Sequence, residues 1–377
     1  MADVSVIIFH PATMDGGPLS ELLTAARERL AMHHLQLFRA AGAAVVEIER
    51  GRGTSFGALL AGHAAHLRGS GLVVLGAGAA ARLRRPDAER LVAFAASGRR
   101  AALTNNRYSS DVCAVGDGGP LVDLPALPGD NALPRWLAER AGFEIAELRA
   151  RERLAFDLDS PLDLALLALQ REAPAGLADL SREAGLAVPR LDELRARLAD
   201  PRAEVLVAGR TSSSALRWLE RVTACRIRFL AEERGLRAAS PLAQWPPTGA
   251  TDRAVRPPRS ILGRLLARRG AGALAWTVAE LADGAIIDTR VLLADRLGAD
   301  EVSWPAAEDR FASDLLRAEA VQDPWLRAIT AAAAASSDPI LFGGHTLLGP
   351  GLRLVAPRPR KGRPGDRRGG PGNGGPR

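Results

Sequence analysis

Lysine is nearly missing from this 377-residue chain. Of its 50 lysine and arginine residues only Lys361, near the C-terminus, is a lysine. The body therefore has no Walker A loop, whose lysine reaches nucleotide phosphates, and no Schiff-base lysine. Any anion must be held by arginine, by backbone N–H groups or by a metal. Cysteine is scarce too. Cys113 and Cys225 are too few for a disulfide framework, and they cannot form a tetrahedral zinc site without other ligands. A reducing cytoplasm fits this usage. No apolar run has the length of a membrane span, since the alanine run at 331–335 breaks at Ser336-Ser337. There is no Gly-x-Ser-x-Gly elbow for Ser-His-Asp catalysis and no short repeat. The first eight residues, Met1 to Ile8, read as the start of a strand and lack the pattern of a signal peptide.

What the chain does have is apolar content: 47% of its residues are hydrophobic, enough for two cored domains. The net charge of +7 is unevenly spread. Residues 357–377 hold seven basic side chains and one acid, Asp366, so this Pro/Gly/Arg-rich tail accounts for +6 and the rest of the chain for +1. Such a tail cannot bury a core and is expected to be disordered. Weak tail contacts with nucleic acid are the only nucleic-acid interaction expected, and none with membrane.

Along the chain, apolar β-branched runs alternate with helical patterns. Strands are expected at 4–9, 44–48, 71–75, 101–104, 112–115, 144–148 and 153–158, with helices at 19–40, 55–67, 86–96 and 135–141. This alternation argues for a layered α/β sheet. Residues 160–197 are mostly helical. A second α/β unit follows, with strands at 204–208 and 225–229, around Ile286-Ile287, and at 340–342.

The densest chemistry lies at Phe156-Asp157-Leu158-Asp159-Ser160-Pro161-Leu162-Asp163-Leu164. Asp157 and Asp159 are two apart, so extended backbone puts both on one face. Two carboxylates on one face can hold a hard cation such as Mg2+. The alternative is that Asp159-Ser160-Pro161 simply caps the next helix. Together with the helix at 131–137 and Ala141-Gly142-Phe143-Glu144-Ile145, this segment resembles the end of the nucleotidyltransferase domain of the molybdenum-cofactor and phospholactate guanylyltransferases. Residues 130–164 carry the likeness, and the α/β order from Val4 supports it loosely. The resemblance implies a Rossmann-like nucleotidyltransferase domain of the GT-A type, with Asp157 and Asp159 as metal-binding and catalytic residues and Mg2+ as cofactor. A nucleoside triphosphate and a small-molecule acceptor would be the partners. Two family features are absent. Between His10 and Pro18 no Arg or Lys stands where the family holds the triphosphate, and Gly76-Ala77-Gly78 after the third strand carries no carboxylate.

Other runs are candidates for binding. Gly76 and Gly78 lack the third glycine of a dinucleotide fingerprint, but they would let backbone N–H groups approach a phosphate; a tight βα turn is the plainer reading. Asn105, Asn106 and Arg107 lie in a polar loop, Thr104 to Asp111, with the only tyrosine, Tyr108. They can read a base edge or fork onto a phosphate, or simply form a solvated loop. Gly209, Arg210, Thr211 and Ser212 precede a helix and read either as an anion site or as ordinary serine capping. His345, after two glycines at a strand end, is the histidine to watch.

The expected organisation is a nucleotidyltransferase-like α/β domain at 1–164, a helical connector at 165–200, a second α/β domain at 201–356 and the basic tail at 357–377. The expected function is Mg2+-assisted transfer of a nucleotidyl group to a phosphorylated or sugar-like acceptor in the cytoplasm. The alternative is a catalytically inactive nucleotide- or nucleotide-sugar-binding protein with a regulatory or scaffolding role.

Overall fold

Two sheets organise the chain. The computed structural model describes residues 3–11, 16–51, 56–64, 70–125, 127, 132–149, 151–174, 176–233 and 258–357. The basic tail from Arg358 onward, the loop at 240–256 and Asp130-Asn131 fall outside these residues.

The first sheet holds β1 (Val4–Pro11), β2 (Val45–Gly51), β3 (Gly71–Gly76), β4 (Ala101–Thr104), β5 (Val112–Val115) and β6 (Glu144–Glu147), in the order β2-β1-β3-β5-β4-β6. All pairings are parallel except those of β5, which runs antiparallel to both β3 and β4. Its helices are α1 (Pro18–Ala40), α2 (Phe56–Ala64), α3 (Arg85–Ala95), α4 (Leu133–Glu139) and the short α5 (Arg151–Leu154). β3, buried along most of its length, reads as a continuous apolar run, as a strand covered on both faces should.

Three helices follow: α6 (Pro161–Ala168), α7 (Leu177–Glu183) and α8 (Leu191–Ala199). The second sheet then comprises β7 (Glu204–Gly209), β8 (Arg226–Ala231), β9 (Ala285–Asp288) and β10 (Ile340–Gly343), in the order β10-β9-β7-β8, all parallel. Its helices are α9 (Ser213–Val222), α10 (Ile261–Arg269), α11 (Leu274–Ala279), α12 (Thr289–Leu297), α13 (Ala307–Asp314), α14 (Pro324–Ala334) and α15 (Leu352–Val355). Among the described residues no helix is long and apolar enough to cross a membrane.

The two sheets share the helix α1. One stripe of α1, with Ala31 and Phe38, packs on the first sheet. Another stripe, with Leu19, Leu23, Ala26 and Leu30, joins the core of the second sheet and of α6–α8. The start of α1 is tied across as well: Glu308 of α13 accepts hydrogen bonds from the Leu19 and Ser20 amides at 2.9 and 3.0 Å and from Ser20 Oγ at 2.9 Å. A carboxylate there satisfies helix-start N–H groups and complements the helix dipole.

One expected strand is absent. The 153–158 segment begins as the last turn of α5, and residues 156–159 then run extended outside the sheet. They bond instead to the turn after β3, with the Leu158 amide donating to the Gly78 carbonyl and the Ala81 amide to the Phe156 carbonyl, both at 2.8 Å. The backbone groups that would have joined a ladder are satisfied by this turn, so an extended segment persists without becoming a sheet strand.

Candidate functional site

The carboxyl edges of the two sheets face each other across a cleft. In the first half the cleft is a cavity of about 480 Å3 at the ends of β1 and β3, bounded by the 76–79 turn, Phe56, Leu133 and the aspartates 111, 157 and 159.

Asp157 and Asp159 share one face, as their spacing requires, and differ in burial. Asp157 is buried, and its Oδ1 accepts from the Ala80 amide at 2.9 Å. Ala80 takes φ +48° to point that amide, a conformation unusual for a residue with a Cβ. Burial, then the charges of Asp111 and Asp159 and a hydrogen bond with Asp111, hold the Asp157 carboxyl well above the usual range. Asp159 is half exposed. Its carboxylate lies 3.6 Å from Arg27 Nη2 and 3.7 Å from His345 Nδ1.

Asp111 is the carboxylate that the 76–78 turn lacks. Because β5 is antiparallel, its first residue, Val112, pairs with Leu75 at the end of β3. Asp111 therefore stands at that end although it lies 35 positions further along the chain. Asn105, wholly buried, holds it: Asn105 Nδ2 donates to Asp111 Oδ2 at 2.5 Å and to the Leu154 carbonyl at 3.3 Å, and Asn105 Oδ1 accepts from the Asp111 amide at 3.0 Å. Asn105 is thus a positioning residue. Asn106 and Arg107 do not line the cleft. Asn106 Oδ1 accepts from the Tyr108 amide at 3.0 Å, while the exposed Arg107 stacks 5.5 Å from the Tyr108 ring.

Gly76 and Gly78 do line the cleft. A Cβ on Gly78 would come within 3.0 Å of both Arg27 Nε and the Leu158 carbonyl oxygen, so glycine is what lets the aspartate segment close on the turn. Arg27 Nε donates to that same carbonyl at 2.8 Å. Cys113 also lines the cavity, and burial pushes its thiol up to about 12, so it stays protonated.

From the second half, His345 completes a cluster. One ligand atom each of Asp157, Asp159 and His345 lies within 4.8 Å of the others. That spacing suits ligands around one ion at about 2.0–2.4 Å. The contact of Asp111 with buried Asp157 fits the same reading, because a second carboxyl beside it makes Asp157 harder to ionise without a cation.

The run at 209–212 divides. Gly209, at φ +136°, brings β7 against β9: a Cβ there would sit 2.3 Å from that of Asp288. Thr211 Oγ1 donates to the Leu348 carbonyl at 2.9 Å, and Ser212 caps α9 by accepting from the Ala215 amide at 3.3 Å. These three serve the fold, and the capping alternative describes them. Only Arg210 reaches a cavity, where Asp288 grips its Nε at 2.7 Å. Ser160 is likewise the N-cap of α6, so the 159–163 segment both caps a helix and presents Asp159.

Arg27, one of several arginines on α1, carried no sequence signal of a site. Arg290 belongs to Asp288-Thr289-Arg290, a run after an apolar segment that reads either as a ligand-binding sheet end or equally as an internal salt bridge. No protein-family model matches the chain, and no curated protein matches it.

Proposed function

We propose that the chain is a nucleotidyltransferase of the GT-A type, similar to the molybdenum-cofactor and phospholactate guanylyltransferases, acting in the cytoplasm with a divalent cation. One observation carries the reading: three aspartates from two segments, Asp111 on one and Asp157 with Asp159 on the other, converge on a glycine-lined cleft at the carboxyl edge of a mixed sheet, the place where open α/β sheets bind ligands. The likeness of residues 130–164 supplies the reaction type.

Asp157 and Asp159, with His345, would hold the cation, Mg2+ by the resemblance. Bound there, it would draw charge from the phosphates of a nucleoside triphosphate. Arg27, beside Asp159, is placed to meet a phosphate oxygen, and the 76–79 turn leaves room for the nucleotide against Phe9 and Phe56. An acceptor oxygen attacks the α-phosphorus in line, the bond to the β-phosphate oxygen breaks, and pyrophosphate leaves. Asn105, through Asp111, keeps the carboxylate geometry fixed.

A second reading has its own support. The connection from His10 to Pro18 carries no Arg or Lys, and the body has no lysine, so the grip on a triphosphate is weaker than the family's. The chain would then be an inactive nucleotide- or nucleotide-sugar-binding protein with a regulatory or scaffolding role. Incubation with each nucleoside triphosphate, Mg2+ and a pool of phosphorylated acceptors separates the two. Pyrophosphate release that disappears in Asp159→Asn supports transfer. Tight nucleotide binding without pyrophosphate establishes the second reading in its place.

A further inference from the structure

We infer that the second sheet builds a phosphate subsite, formed by Arg210, Arg290, Gly344 and Thr346, that receives the phosphate group of a small phosphomonoester acceptor. The inference deepens the nucleotidyltransferase reading and rests on it for the word acceptor; the binding of the anion stands by itself.

A second cavity, of about 310 Å3, lies between the halves and adjoins the first; His10, Arg27 and Asp159 border both. Its size is at the lower end of ligand pockets, which run from roughly 300 to 1,000 Å3. That is room for a small molecule next to a nucleotide.

Its floor is the carboxyl edge of β7, β9 and β10. Two guanidinium groups there are fixed from behind. Asp288 holds Arg210 through Nε at 2.7 Å and Nη2 at 3.4 Å. Asp314 takes both terminal nitrogens of Arg290, with Nη2 to Oδ2 at 2.7 Å. Arg210 Nη1 and Arg290 Nε donate to no group among the described residues. The two cations are thus held in place with donors to spare, which is the preorganisation an oxyanion site needs.

Gly344 leaves them uncovered. A Cβ at that position would stand 3.7 Å from Arg290 Nε and 3.9 Å from Arg210 Nη2, so a larger side chain would lie over both guanidiniums. Thr346 supplies the independent observation. It is 1% exposed and borders the cavity, yet its Oγ1 has no hydrogen-bond partner. A buried hydroxyl without a partner is unfavourable, and a ligand oxygen in the cavity would satisfy it. Arg310 borders the same cavity, and its buried Nε has no partner either. Guanidinium donors from two strand ends together with a hydroxyl match the several oxygens of a phosphate monoester better than the two of a carboxylate.

The test uses the full chain and inorganic phosphate, followed by calorimetry or by 31P line broadening, with acetate as the carboxylate probe. Phosphate is expected to bind, and Thr346→Val and Gly344→Val each to weaken it at least about tenfold, ~1.4 kcal/mol. Thr346→Val keeps the side-chain shape, so it tests the hydroxyl even if Gly344→Val fails to fold. Nucleotide binding in the first cleft is read in parallel. Phosphate binding lost in these variants supports the subsite. If the parent chain binds phosphate and the variants lose it while nucleotide binding is absent from the parent, the subsite stands and the nucleotidyltransferase reading falls. Phosphate that fails to bind, binds all variants equally, or is matched by acetate overturns the subsite.

Discussion

His345 Nδ1 lies 3.7 Å from Asp159 Oδ2, and this contact joins the carboxyl edge of the second sheet to the aspartate segment of the first half. A metal bound here would have ligands from both halves. An imidazole nitrogen favours Mn2+ or Co2+ over Mg2+, which prefers oxygen. Calorimetric titration is therefore expected to show His345→Ala losing about tenfold in Mn2+ affinity, ~1.4 kcal/mol, with a smaller change for Mg2+. Equal Mn2+ affinity in the variant would remove His345 from the site.

Asp157→Asn separates metal binding from stability. The buried carboxyl is held above its usual range by burial and by Asp111 and Asp159, so ionising it without a cation is unfavourable. An asparagine keeps an oxygen for the Ala80 amide and removes that charge. The metal-free variant should be at least as stable as the parent in urea denaturation, while any stabilisation by added Mn2+ disappears. A variant that is clearly less stable without metal would show that the carboxylate is already paired within the protein.

Asn105→Ala should cost about 1–3 kcal/mol, because it leaves the Asp111 amide and the Leu154 carbonyl without the partner that now serves both. Metal affinity should fall with it, since Asp111 loses its anchor. Loss of stability with unchanged metal affinity would confine Asn105 to a structural role.

The sequence made the order of elements legible because apolar runs and turn residues set it locally. β1, β3, β7, β9 and β10 all stand where the pattern puts them, and so does α1. Asp157 and Asp159 could be singled out because their relation is a spacing of two. The pairing of Asp111 with Asp157 could not be read this way, since it depends on β5 running antiparallel, a long-range pairing that no local pattern records. The expected strand at 153–158 failed for a related reason: an extended apolar segment reads alike whether it bonds to a sheet or to the turn at 76–81. Arg210 was separable from Thr211 and Ser212 only once Leu348 and Ala215 had claimed their hydroxyls.

His34, wholly buried on α1, should impose a pH dependence on stability. Burial, with the charge of His33 second, lowers it from an ordinary 6.5 to about 3. The unfolded chain then binds a proton between these values that the folded chain does not. The neutral-histidine contribution is complete above about 6.5 and is lost as pH falls toward about 3, with a slope of at most ~1.4 kcal/mol per pH unit. His34→Leu removes the titration. Its stability relative to the parent should be constant above pH 7 and improve as pH drops below about 6.5, read from urea midpoints across the range. A difference that does not vary with pH would mean that His34 is protonated equally in both states.

Glu308 and Gly17 form one device at the start of α1. The Glu308 carboxylate serves two amides and a hydroxyl, and a Cβ on Gly17 would stand 2.8 Å from its Cδ and Oε1. Glu308→Ala should destabilise by about 1–2 kcal/mol, from a lost cap and a lost charge at the positive end of the helix. Glu308→Gln keeps an acceptor and should lose less. Gly17→Ala pushes the carboxylate away and should approach the Glu308→Ala loss by another route. Since both changes break the same contacts, the double variant should be little worse than Glu308→Ala alone. Additive losses in urea denaturation would mean that Gly17 is needed for the chain's path into α1 and not for access of Glu308.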